Sequence, residues 1–151
     1  MRGASHSGTT VADNDRVSVR RYQDLIAWQL ANKLKQKVYA LIDQSPARRD
    51  LKFCDQIRES ASSGPTNIAE GFGCYRHTEF ARYTRIARSS LIETHNHLGD
   101  GIDRGYWSER DVQPLLDFAD RATGATTRLM QYLMSTEAPA SRFQRSAKHR
   151  T

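Results

Sequence analysis

Hydrophobic residues recur at the helical period in four stretches of the chain, and no stretch of useful length alternates as a β-strand would. In the first stretch the apolar positions lie three, four or seven residues apart: Ala27, Leu30, Ala31, Leu34, Val38, Leu41 and Ile42. Ser45 and Pro46 end it, because the residue before a proline avoids the helical region. The composition changes at residue 22, and the apolar pattern from Ala27 onward predicts a first amphipathic helix.

The second stretch begins near Ala47 and carries a narrow seam of mostly small residues. Its inward positions alternate by three and four, as in a heptad seam: Cys54, Ile57, Ala61, Gly64 and Ile68. The seam continues through Pro65 without losing register, so we predict one long helix that is kinked at the proline. Gly71, Phe72 and Gly73 are expected to close it, since glycine commonly follows a helix.

The third and fourth stretches have their own start signals. Thr78 is expected to be the N-cap of the third helix, with Glu79 near the positive end of its dipole, and Gly105 ends it. Ser108 and Asp111 resemble a capping box before the fourth helix. The inward positions are Phe80, Tyr83, Ala87, Leu91, Thr94, Leu98 and Ile102, then Val112, Leu115, Leu116, Ala119, Ala122, Leu129, Tyr132 and Leu133. Four amphipathic helices with short joints predict an all-α, up-down antiparallel four-helix bundle.

The length and composition of the chain indicate a single domain with a net positive charge. The chain has 151 residues, of which 38% are apolar, and its net charge is +6. Much of that charge is peripheral: residues 137–151 contribute +3 and residues 1–21 contribute +2. We therefore divide the chain into a disordered N-terminal segment (1–21), the bundle (22–136) and a basic disordered tail (137–151). The modest apolar content suits a protomer that completes its core in an oligomer.

The sequence pattern does not favour a membrane-spanning or an exported protein. No apolar run is long enough to span a bilayer, and the N-terminus lacks the apolar stretch of a secretory signal. The two cysteines, Cys54 and Cys74, have no CxxC spacing. We expect a cytoplasmic protein with reduced thiols.

Catalytic, metal and cofactor patterns are weak. The glycines at 71 and 73 follow a helical pattern instead of a strand, so they favour a helix end over a phosphate loop. Glu93, His97 and Asp100 can share a helix face as a metal site, but a solvated face is the commoner explanation. The serines at 60, 62 and 63 lack a nucleophile elbow. We expect no enzyme activity, no metal and no cofactor.

Arginines of the third helix suggest a different kind of chemistry. Arg82, Arg85 and Arg88 are spaced by three, with Arg76 upstream, and form a slowly winding ridge that can meet successive phosphates. Glu79 can pair with Arg82 and neutralise part of the ridge. Arg58 and the tail residues Arg142, Arg145 and Lys148 complete the candidate nucleic-acid-binding set. The alternative is an ordinary solvated face. Tyr75, Tyr83 and Trp107 are candidates for base stacking.

Four patches in order resemble the four-helix bundle family of 23S rRNA intervening-sequence proteins, which includes the accessory variability proteins of diversity-generating retroelements. The patches are YQDLIAWQLA (22–31), QIRESASSGPTNIAEGFG (56–73), EFARYTRIARSSLIET (79–94) and Gly105-Tyr106. The signature positions, which we expect to be structural, are Trp28, Gln56, Pro65, Asn67, Ile68, Ala69, Glu70 and Gly71.

The resemblance implies a non-catalytic bundle whose protomers form a five-membered ring. The retroelement members of the family bind nucleic acid and associate with a reverse transcriptase. This chain departs from the family pattern where arginines are common, with Glu59 and Cys74 in their place, and Gly64 replaces a large apolar residue. Two hypotheses follow: an oligomeric accessory protein that binds RNA or DNA, and a protein-only scaffold or adaptor.

Overall fold

The computed structural model describes residues 19–135, and every regular element in this range is helical. The long helices are α1 (Ile26–Asp43), α2 (Leu51–Phe72), α3 (His77–Asp103) and α4 (Glu109–Met134). Two short 3₁₀ turns, Tyr22–Asp24 and Pro46–Arg49, precede α1 and α2. The all-α four-helix prediction is confirmed. The end segments 1–18 and 136–151, with the predicted disorder and the tail arginines, lie outside the described residues.

Each helix packs antiparallel against its neighbours, and the four helices form a closed bundle in which α1 also packs against α4. Between α2 and α3, Ser60 bonds to Thr94 while Ser63 bonds to Ser90, so residue numbers rise on one helix as they fall on the other. The α3–α4 pairs Arg88–Thr127 and His95–Asp120 follow the same rule. This is the predicted up-down topology.

The interior of the bundle is the hydrophobic core that the apolar periodicity predicts. Among its fully buried side chains are Leu34, Val38, Ile42, Ile57, Ile68, Leu91, Leu98 and Val112. All five seam positions of α2 are buried. Some predicted inward residues are only half-buried, because they lie at the edges of the apolar stripes: Leu30, Leu41, Tyr83, Ile102, Leu116, Leu129 and Tyr132.

Two predicted helix starts need correction. Helix α2 begins at Leu51 and not near Ala47, because Pro46–Arg49 form a separate 3₁₀ turn and the Asp50 side chain caps the helix by accepting from the Phe53 amide at 3.1 Å. Thr78 is not an N-cap: it lies inside α3, which begins one residue earlier without a side-chain cap. The Ser108 cap is confirmed, since its hydroxyl accepts from the Asp111 amide at 3.1 Å.

Helix α2 runs through Pro65 without interruption, as predicted, and the proline is buried. The kink stays a prediction. Gly64, one residue earlier, lies in the centre of the bundle, where an added Cβ would be 3.1 Å from Leu91 Cδ2 and 3.8 Å from Ala31 Cβ. A glycine therefore lets α1 and α3 approach this part of α2 closely.

Residues 71–73 close α2 as predicted, since the helix ends at Phe72 with Gly73 as its C-cap, and Gly71 itself lies inside the last turn. It is buried beneath α3. An added Cβ would be 2.5 Å from Phe80 Cδ2 and 2.8 Å from Tyr83 Cβ, which no packed side chain tolerates without a shift. Close approach of α3, and not helix termination, explains the need for glycine here.

Candidate nucleic-acid interface

The three arginines of α3 form an exposed ridge on the bundle surface. Residues three apart on a helix fall about 60° short of a full turn, so Arg82, Arg85 and Arg88 progress around the axis. The ridge starts on the outer face of α3 and ends at α4, where Arg88 Nε donates to Thr127 Oγ1 at 3.0 Å. The winding surface predicted from the spacing is present.

The positive charge of this ridge is not neutralised by ion pairs within the described residues. The expected Glu79–Arg82 pair does not form. The guanidinium of Arg82 instead lies 5.1 Å from the centroid of the Tyr83 ring. Arg76 is exposed in extended backbone immediately before α3. These four arginines, at the start and in the first half of α3, thus carry positive charge that no ion pair within the described residues offsets.

Basic residues concentrate at the end of the bundle that contains the α2–α3 turn. When the helices are divided at their midpoints, this half (19–34, 62–90 and 122–135) has eight basic and three acidic residues, whereas the other half has nine and eleven. We call it the basic end. Its cations are Arg20, Arg21, Lys33, Arg76, Arg82, Arg85, Arg88 and Arg128, and its acids are Asp24, Glu70 and Glu79. The described chain also begins and ends here, so the basic segment 137–151 is attached at this end.

Arg58 is not part of this surface. It lies on the α1 side of α2, where its guanidinium is 3.8 Å from Asp43 Oδ1. Because Ser60 bonds to Thr94, Arg58 is also level with the second half of α3. The structure therefore separates Arg58 from the α3 arginines, while Arg142, Arg145 and Lys148 lie outside the described residues.

The three aromatic candidates occupy different environments. Tyr75 is 68% exposed in the α2–α3 turn beside Arg76. Tyr83 is half-buried beneath Arg82. Trp107 is buried at the opposite end, where its indole Nε1 donates to the Leu98 carbonyl at 2.8 Å. Trp107 is therefore a packing residue and not a stacking platform, whereas Tyr75 adjoins the arginines.

Asn67 belongs to a polar network between α2 and α3. Its amide donates to the Ser63 carbonyl at 2.8 Å and to Ser63 Oγ at 2.9 Å, and Ser63 Oγ lies 2.7 Å from Ser90 Oγ. Buried Thr94 Oγ1 bonds to Ser60 Oγ at 3.0 Å. Ser60 and Ser63 are thus held in hydrogen bonds between α2 and α3, whereas Ser62 Oγ donates to the Glu59 carbonyl within α2 at 3.2 Å. The hydrogen bonds of Asn67 stay within α2, and Ser63 links them to Ser90 on α3.

The other signature residues divide into packing and surface positions. Trp28 is half-buried, with its ring centroid 5.2 Å from that of Tyr22. Ile68 is fully buried and Ala69 is half-buried, whereas Gln56 and Glu70 are exposed. The predicted structural role therefore suits the inward residues, and the two exposed ones are available to contact another molecule.

The three residues considered for a metal site are not assembled as one. His97 Nε2 lies 3.4 Å from Glu93 Oε1, but Asp100 is bound by Arg104 Nε at 2.8 Å. Within residues 19–135 no cluster of three or more His, Cys, Asp or Glu side chains is arranged to hold a metal ion. In the same range no helix is both long and apolar enough to cross a membrane.

Both cysteines are free thiols with little nucleophilic character. Burial raises the pKa of Cys54, whose Sγ donates to the Ala47 carbonyl at 2.9 Å. Burial also raises the pKa of Cys74 at the end of α2. Because the thiolate is the reactive form, neither residue is activated for attack.

Sequence reasoning missed a cluster at the opposite end of the bundle. The Asp50 carboxylate accepts hydrogen bonds from the Tyr106 hydroxyl, from the Phe53 amide and from Arg104 Nη1 at 3.2 Å. The Tyr106 hydrogen bond, together with those from Phe53 and Arg104, lowers the pKa of Asp50. The same hydrogen bond to Asp50 raises the pKa of Tyr106. We call this the Asp50 cluster; it holds the α3–α4 turn against the start of α2. Only the Gly105-Tyr106 pair marked it in the sequence.

Comparison with known proteins bears on the whole bundle. The family model described as "23S rRNA-intervening sequence protein" matches residues 23–127, which include all of α1, α2 and α3 and most of α4. A comparison with curated proteins finds no match. The family resemblance seen in the four sequence patches is therefore confirmed, and it covers the arginine ridge.

Proposed function

Because this chain belongs to the family of 23S rRNA-intervening sequence proteins, we propose that it is a non-enzymatic, self-associating accessory protein that binds nucleic acid at its basic end. One observation carries the proposal: Arg76, Arg82, Arg85 and Arg88 are exposed together and are not ion-paired within the described residues. Phosphate contacts by lysine and arginine supply most of the affinity of non-specific nucleic-acid binding.

The uneven distribution of charge supports this location. An anionic polymer meets a strong excess of cations at the basic end and a slight excess of acids at the other. The described chain ends at Ser135, at the basic end, and the residues 137–151 that follow it carry a further charge of +3. Binding would therefore be steered to one end of each protomer.

A matched pair of double variants tests the surface. Arg82→Ala/Arg85→Ala removes two charges from the basic end, and Arg48→Ala/Arg49→Ala removes two exposed charges from the opposite end. In gel-shift titrations between roughly 50 and 200 mM salt, we expect the first variant to lower the salt slope by about 1.5, at about 0.7–0.9 per lost phosphate contact. The second should retain the wild-type slope.

Equal losses in the two variants would mean that only net charge matters, which would contradict a localised surface. No binding to structured RNA, single strands or duplex at low salt would reject the proposed function. Deleting residues 137–151 separates the tail from the bundle: if all affinity disappears with the tail, the bundle is a scaffold for a basic arm.

The family implies self-association and, in its retroelement members, a reverse transcriptase partner, and we include both in the proposal. Ile86 and Ile92 are 40% and 46% exposed on the outer face of α3, which supports a contact with another protein. Such a contact also supports the second candidate function, a protein-only scaffold or adaptor. A cytoplasmic setting agrees with two free thiols.

A further inference from the structure

A groove of about 520 Å³ lies at the basic end, between the start of α1 and the last turns of α4. Its volume falls within the range of about 300–1,000 Å³ that small-molecule sites in proteins occupy. The lining residues used below are Asp24, Ile26, Arg128, Leu129 and Tyr132. The groove is on the α1 side of α4, whereas Arg88 contacts Thr127 on the α3 side, so the two features flank the same helix.

The lining of the groove is mostly apolar with one charge of each sign. Tyr132 and Leu129 are half-buried against the core, and Ile26 is 66% exposed at the groove. Arg128 is exposed and has no ion pair within the described residues. Apolar walls with an aromatic ring and a few polar groups are the usual composition of a ligand site.

Asp24 is the acid of the groove, and its only ion pair in the described residues is a loose one. Arg21 Nε lies 3.5 Å from Asp24 Oδ1, and the two side chains are 67% and 39% exposed. Exposed pairs of this kind contribute little free energy. The carboxylate therefore remains able to accept hydrogen bonds from an amino or imino group of a ligand.

We propose that this groove takes one unstacked base of a single-stranded nucleic acid, with Tyr132 packing on the base, Asp24 accepting from its edge and Arg128 holding the adjacent phosphate. The inference rests on the proposed function, because the basic end must first bring the strand to the groove. Charge complementarity selects this occupant: an anionic chain satisfies Arg20, Arg21 and Arg128, while its bases supply the apolar surface and the donors.

The groove also assigns the class of nucleic acid. Bases in a duplex are stacked inside the helix and cannot enter a side pocket, whereas unpaired bases can be splayed out onto aromatic side chains. A single strand, a loop or a bulge therefore fits the groove, and a continuous duplex binds only through its phosphates. The 2′-hydroxyl is not required by this geometry, so RNA and DNA strands both qualify.

The test compares two fluorescently labelled single strands, each about 12 nucleotides long. The first has a mixed base sequence, and the second has the same backbone with an abasic site at every position. Both probes present the same phosphates, and only the first has bases. Fluorescence anisotropy at low salt should show tighter binding of the intact strand by about 5- to 150-fold, the range expected for stacking of one base. The measurement is made with RNA and with DNA strands.

Variants locate the effect. Tyr132→Ala should abolish the difference between the probes. Tyr132→Leu keeps the apolar packing and removes the aromatic ring, so it should also abolish the difference, and it serves as the test if the alanine variant does not fold. Tyr39→Ala is the matched control, since Tyr39 is another half-buried tyrosine packed on the core but lies outside the groove. The control should keep the difference.

Each outcome is decisive for one of the two proposals. If neither probe binds, the proposed function fails. If both bind equally well to the wild-type protein, or if Tyr132→Leu keeps the preference for the intact strand, the basic end binds nucleic acid but the groove takes no base. If Tyr39→Ala also loses the preference, the effect is not local to the groove and the inference is overturned.

Discussion

At the scale of single residues, glycines decide how closely the helices approach. Gly71 lies under Phe80 and Tyr83, where an added Cβ has no room, and Gly101 is covered by Trp107 in the same way. Neither glycine has an unusual backbone angle, so their role is contact and not conformational freedom. Within residues 19–135 only Gly105, with φ of +76°, occupies the left-handed region, in the α3–α4 turn.

We expect Gly71→Ala to destabilise the protein by about 1–3 kcal/mol, because the new methyl group must displace Phe80 and Tyr83 from a packed contact. Gly99→Ala is the control, since an added Cβ there has nothing within 4 Å. In a helix it should be neutral or stabilise by up to about 1 kcal/mol. Urea unfolding measures both; equal effects would refute the close-contact explanation.

The Asp50 cluster makes a second residue-scale prediction, for pH. The pKa of Asp50 is lowered in the folded protein from its usual 3.8, so its contribution to stability is present above about pH 4 and is lost as the pH falls through the lower folded value. The cause is chiefly the Tyr106 hydrogen bond. Tyr106→Phe should therefore lower the Tm at pH 7 more than at pH 2.

Thermal melts from pH 7 to pH 2 check this expectation. Asp50→Asn provides the control, because its stability should not depend on titration of residue 50 at all. A Tyr106→Phe effect that is the same at both pH values would show that the hydroxyl acts independently of the Asp50 charge.

At the scale of elements, the helix starts show how local signals compete. Ser108 and Thr78 both precede or open an apolar stripe, yet only Ser108 lies in extended backbone where its hydroxyl can accept from an amide. Before α2, Pro46–Arg49 form a 3₁₀ turn whose N-cap Ser45 makes no capping hydrogen bond, whereas the Asp50 side chain caps α2 by accepting from the Phe53 amide. The turn chemistry therefore outweighs the apolar period at these boundaries.

We expect Ser108→Ala to cost about 1 kcal/mol, since it removes the N-cap of α4, and Thr78→Ala to change stability by less than about 0.5 kcal/mol. The measurement is the midpoint of guanidinium unfolding for each variant. Comparable costs at the two positions would contradict the assignment of the caps.

At the scale of the whole molecule, the antiparallel packing of the four helices brings together residues that are distant in the sequence. The basic end combines the start of α1, the α2–α3 turn and the end of α4, so cations from residues 20 to 128 lie in the same half of the bundle. The sequence shows only that the central region is nearly neutral. The separation of charge along the bundle axis appears once the antiparallel packing is known.

Self-association is a prediction at this scale. If the outer face of α3 contacts another copy, Ile86→Glu/Ile92→Glu should dissociate the assembly, because it places charge at two exposed apolar positions. Sedimentation velocity at micromolar concentration reports the change. Met134→Glu is the control at an exposed apolar position on α4. A wild-type monomer would contradict self-association itself.

By itself the sequence determined the helices, their inward faces, the family and the ridge of arginines on α3, because periodicity and spacing are local properties that survive any packing. The tertiary structure decided what depends on distance between elements. It set Arg58 apart beside Asp43, buried Trp107 and used Gly71 for contact with α3. It also joined Asp50 to Tyr106 across 56 residues. These outcomes follow from which helices are neighbours, and periodicity within one helix carries no record of the side chains that will face it.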